Sequence, residues 1–88
     1  MRSGDGMDLE TVRWQLKWAD RAIRNSEMRI ARLIELRETL RQRGCDQKKV
    51  DLAIQREEKE QATHRMDQSR LAAMVVHFEQ QMSVRRAV

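Results

Sequence analysis

From Leu9 onward the apolar residues recur at steps that alternate between three and four. Leu9, Leu16, Ile23 and Ile30 lie seven apart, and Val12, Ala19, Ser26, Leu33 and Leu40 form a second series between them. This spacing is the seam of a helix packed lengthwise on another helix. Ser26 and Arg37 are the only polar residues on it, and Ile34 and Leu36 widen the apolar face near its far end. The chain has no proline and only three glycines, so nothing inside this stretch breaks a helix. The same composition argues against a sheet, which needs turn residues and β-branched runs.

The ends of the helix carry their own signals. Asp8 is placed to cap the free N–H groups of the first turn, and Glu10 suits the positive end of the helix dipole. Arg41 and Arg43 suit the negative end, and Gly44 can adopt the left-handed conformation that closes a helix. Cys45 follows, and Asp46 can cap a second helix. That helix has the seam Val50, Ile54, Glu57, Gln61, His64, Gln68, Leu71, Val75, Phe78 and Met82, apolar at both ends and polar in the middle. The expected organisation is a disordered lead-in over 1–7, with Met7 an alternative start, and a single domain over 8–83. Within it, helix one covers about 8–43, a turn 44–46, and helix two about 47–83; residues 84–88 form a frayed tail.

A link this short turns the second helix back along the first. Facing residues should then have numbers adding to about 90, as the turn is centred on Cys45. Leu40 faces Val50, Ser26 faces His64, Ala19 faces Leu71, Leu16 faces Met74 and Val75, and Val12 faces Phe78. Apolar meets apolar and polar meets polar, so two independent patterns agree on one register. The predicted fold class is all-α, an antiparallel two-helix hairpin of coiled-coil type. Two helices of roughly 50 Å make one thin layer with an uncovered face, and a chain of this size needs reinforcement. Dimerisation into an antiparallel four-helix bundle is the expected remedy.

Val12, Leu16, Ala19, Arg21, Glu27 and Ile30-Ala31-Arg32, the turn Gly44-Cys45-Asp46, and Gln61-Ala62-Thr63-His64 with Asp67, Arg70 and Leu71 form a pattern. It resembles a group of short, Arg-rich, uncharacterised bacterial proteins with the shape of helical hairpins. The resemblance runs from Val12 to Leu71. In that group the turn is Gly-His-Asp. Trp14 and Trp18 stand where the group tends to be charged, and Glu57 where it is usually apolar. The resemblance implies the hairpin and carries no catalytic residue.

Function is read from what the seam does not use. Trp14 and Trp18 lie one turn apart and off the seam. The register places them beside Ala72, Ala73 and Val76, in a run from Leu71 to Val76 that is apolar all round. Trp14, Trp18, Met74, Val76 and Phe78 are therefore the expected protein-interaction patch, either a homodimer core or a docking site for a helix of another protein. Tryptophans beside Arg13, Lys17 and Arg21 are also a weak membrane-surface signal. Ser26, Gln61 and His64 are the expected polar core layer, fixing register by hydrogen bonds or, in the sharper reading, responding to pH or binding a metal between two copies.

Arg13, Lys17, Arg21 and Arg24 form a basic stripe on helix one, and nucleic acid is the alternative ligand it suggests. The net charge is only +4, and acids are mixed among the bases throughout, as on a solvated face. Neither histidine has Glu three residues before it, so the di-iron bundle signature is missing. No phosphate-binding glycine loop or nucleophile motif appears. No cofactor is expected, and the chain reads as non-enzymatic. One cysteine fits a reducing compartment, and no apolar run reaches a membrane span. The expected location is cytoplasmic.

Overall fold

The computed structural model describes residues 8–87. They form two helices, α1 (Leu9–Gln42) and α2 (Lys48–Ala87), packed antiparallel as a hairpin. The lead-in expected over 1–7 lies outside the described residues.

Each end of α1 closes as its residues dictate. The Asp8 carboxylate accepts a 2.8 Å hydrogen bond from the Thr11 N–H. At the other end Gly44 has φ +73°. The Cys45 N–H donates to the Leu40 carbonyl at 2.8 Å and the Gly44 N–H to the Arg41 carbonyl at 3.1 Å. This crossed pair is a Schellman closure, which satisfies carbonyls the helix would leave open. Arg41 also binds the Glu38 carboxylate one turn earlier, and that hydrogen bond holds Glu38 below the ordinary carboxylate pKa. Asp46 then accepts from the Lys48 N–H at 3.0 Å, opening α2.

α2 runs further than its sequence suggests. It was expected to end near 83 and fray over 84–88; it continues to Ala87. Ser83, Val84 and Arg85 include no breaker, and Arg85 suits the negative end of a helix dipole. Val88 lies outside the described residues.

The core is one seam. Val12, Ala19, Ile23 and Ser26 are buried from α1, and Val50, Ile54 and Leu71 from α2. Near the open end, Val12, Ala19 and Leu71 form the centre of a cluster against which Leu16, Met74, Val75 and Phe78 pack. In the middle the seam narrows to Ile23 and Ser26, as the polar residues of α2 require.

Polar pairs hold the register. Arg13 bonds Glu79 at 2.7 Å, Asp20 accepts from Gln68 at 2.6 Å, Arg29 bonds Glu57 at 3.0 Å and Arg37 bonds Asp51 at 3.3 Å. Arg65 lies 3.7 Å from Glu27. Every pair has numbers adding to within a few of 90, the register set by the turn. A slip of one heptad would set Glu27 opposite Glu58, like against like. Each exposed pair contributes little, about 0–1 kcal/mol, but together they penalise the wrong registers.

A Cβ added at Gly44 would meet no atom within 4 Å, so the cost of Gly44→Ala is the left-handed backbone alone. We expect a loss of about 1–2 kcal/mol for alanine and a smaller loss for Gly44→Asn, measured by urea unfolding at fixed protein concentration. Equal stability of all three would show that the turn relaxes out of its closure.

Candidate interaction surface

The five residues expected to form one patch do not share a face. Met74 and Phe78 are half-buried in the seam, packed on Val12, Ala19 and Leu71. Val76 is exposed, since it stands two residues beyond Met74 and so about 200° further round α2. Trp14 lies on the back of α1, in a shallow depression lined with Glu10, Arg13 and Lys17, all from its own helix. Ala72, Ala73 and Val76, its expected neighbours, face solvent instead. The register was right along the hairpin, but facing pairs in sequence say nothing about rotation around each helix.

Trp18 is the exception. It is 61% exposed and stands at the rim of an open groove between the helices. Ala19, Ala22 and Leu71 make the apolar part of that groove, and Gln15, His64, Asp67 and Arg70 line the rest. Two alanines on α1 leave room beside a large indole, and Arg70 lies 3.7 Å from Asp67 at the far wall.

The tryptophans also change the basic stripe. Lys17 Nζ lies 5.3 Å from the centre of the Trp14 ring, and the Arg21 guanidinium 5.5 Å from that of Trp18. Such contacts are worth about 0.5–1 kcal/mol at exposed sites. Arg13 is paired with Glu79. Of the four stripe residues, three thus have partners within the hairpin, and Arg24 is exposed beside them.

The polar layer is only partly a layer. Ser26 is fully buried, and its hydroxyl donates 2.8 Å to the Ile23 carbonyl of its own helix. Gln61 and His64 are half-buried. The polar links that cross between helices in this region are Asp20 with Gln68, Arg29 with Glu57 and Glu27 with Arg65. The signal for the first two was available: Gln68 and Glu57 are polar residues at seam positions, and the register sets acid or base beside each. Among the described residues no group of three His, Cys, Asp or Glu side chains is gathered to hold a metal.

Comparison with family models, with curated proteins and with solved structures finds no match.

Because the Asp20–Gln68 bond crosses between helices and the Ser26 bond does not, their loss should differ. Gln68→Ala should cost about 1 kcal/mol or somewhat more, since it strands a half-buried carboxylate. Ser26→Ala should cost less, because it removes no bond between the helices and the Ile23 carbonyl remains within the hydrogen-bonded backbone of α1. Urea unfolding of both variants at one concentration makes the comparison; a larger loss at Ser26 would contradict it.

Proposed function

We propose that this chain is a small, non-enzymatic, cytoplasmic helical interaction module. It acts by docking an exposed face of the hairpin on a second helix, its own copy or that of another protein. The observation that carries this reading is Trp18, an indole more than half exposed at the edge of an apolar groove, on a layer one helix thick. Trp14, also mostly exposed, extends the aromatic surface along α1. Large aromatic side chains at the edge of such a groove are the usual anchors of helix-face recognition. The lone exposed cysteine supports a reducing location, and no helix among the described residues is long and apolar enough to cross a membrane. The reading also suits the short bacterial hairpin proteins that the chain resembles.

Solution mass by light scattering, under reducing conditions and across a dilution series, tests it. We expect a dimer that dissociates on dilution. The double variant Trp14→Ala, Trp18→Ala should weaken association while helicity by circular dichroism stays largely unchanged in the associated range. A folded monomer at every concentration would overturn self-association.

The competing reading is nucleic-acid binding through Arg13, Lys17, Arg21 and Arg24, favoured by their common flank on α1. It requires binding to duplex that falls steeply with salt, and retention unaffected by salt, or none at low salt, removes it.

A further inference from the structure

The two flanks of α1 differ in a way the seam does not require. On one side, Glu10, Arg13, Lys17, Asp20, Arg24 and Glu27 succeed one another at steps of three and four, and every one is charged. On the other side, Thr11, Gln15, Trp18, Ala22 and Asn25 follow the same steps, and none is charged. In a chain that is 36% charged, an uncharged stretch of this length, holding one indole and one alanine and ending at Arg29, is a flank that a second helix can cover without burying charge. The charged flank is already engaged with α2, through Arg13–Glu79, Asp20–Gln68 and Glu27–Arg65. The uncharged flank borders the groove and is exposed, apart from half-buried Ala22.

We propose that a second copy of this chain covers the uncharged flank, with α1 lying antiparallel on the partner's α1 about a two-fold axis near position 20. This deepens the interaction reading above and rests on it.

One observation names a second copy as the occupant, and another shows that the face lacks a cover. First, the stripe is complementary to itself. Reversed about position 20, Trp18 comes opposite Ala22, Gln15 opposite Asn25, and Thr11 opposite Arg29, the residue that ends the stripe. The indole meets the alanine notch, amide meets amide, and hydroxyl meets base. Such a match between a surface and its own two-fold image is the condition for a closed dimer. Second, the flank has nothing over it: a single layer of two helices leaves Trp18 61% exposed at the groove, and the two-fold match makes a second copy the cover that fits it.

The dyad separates Trp18 from Trp14. Trp18 fills the partner's notch, while Trp14 sits on the back of α1 at the margin. Trp18→Ala should therefore raise the dimer dissociation constant about 30-fold or more, and Trp14→Ala much less. Ala22→Arg should abolish the dimer by filling the notch with a charge, whereas Arg24→Ala, on the charged flank, should leave it intact. Circular dichroism at high concentration checks that each variant is helical.

Disulfide trapping reads the geometry directly and does not depend on weakening the fold. In a Cys45→Ser background, Gln15→Cys with Asn25→Cys should oxidise to a covalent dimer. Lys17→Cys with Arg24→Cys, on the opposite flank, should not. A dimer by light scattering that gives no Gln15/Asn25 cross-link, or that survives Ala22→Arg, overturns the proposed face while leaving self-association standing. A monomer at all concentrations overturns both.

Discussion

Everything in this molecule depends on a single line of contact between two helices. Val12, Ala19, Ile23 and Ser26 meet Val50, Ile54 and Leu71 along it, and no third element closes over them among the described residues. A helix in a larger domain buries a broad stripe because several neighbours share it. Here each helix has one neighbour, so any residue a quarter turn from the seam reaches solvent. That explains how Leu16, Met74 and Phe78 are only half-covered while belonging to the core cluster. It also explains why so many large apolar residues are exposed: Met28, Leu52 and Met66 on the backs of the helices as well as the two tryptophans.

A single seam has little to define its own register, particularly where α2 offers Glu57, Gln61, His64 and Gln68 in its middle. Two devices supply the definition. The Schellman closure at Gly44 and the Asp46 cap allow only a short reversal, so the first facing pair is set by covalent geometry. The polar pairs then repeat that setting along the length, from Arg37–Asp51 beside the turn to Arg13–Glu79 at the open end. Their individual energies are small, but each alternative register replaces several at once, some with like charges. A polar middle then costs little in specificity, and the hairpin keeps one alignment over more than thirty residues of α1.

Much of this was legible in the residues. The three–four spacing, the caps at Asp8 and Gly44 and the sum rule around the turn depend on local chemistry and chain connectivity, and they lead directly to the two helices and their alignment. What did not follow was rotation about each helix axis. Trp14, Trp18 and Val76 lie at similar heights along the hairpin, yet they point in different directions, and only the three-dimensional phase separates Trp18 at the groove from Trp14 on the back of α1. The polar layer failed for a related reason. A buried serine in a helix can bond the carbonyl one turn back, as Ser26 does, and nothing in its facing residue forbids that. The end of α2 differs because a tail without a packing partner favours fraying, whereas the absence of any breaker lets the helix continue to Ala87.

The contrast between the flanks of α1 bears on how many copies can assemble. A surface that matches its own two-fold image closes on itself and offers nothing further, whereas a surface that matches a different patch propagates. On the proposed dyad the uncharged stripe is consumed once in each copy. Outside it remain the charged row of Glu10, Arg13, Lys17, Asp20, Arg24 and Glu27, committed to α2 at three positions, and the exposed Met28, Leu52 and Met66 on the backs of the helices. A third hairpin docked on the charged row would have to desolvate those charges, which is costly. The two cation–π contacts act in the same direction. By holding Lys17 over Trp14 and Arg21 beside Trp18, they keep charge along the outer margin of the aromatic surface and so bound its apolar extent. On the proposed dyad a two-helix layer would gain its cover from one partner, with the charged flank left facing water.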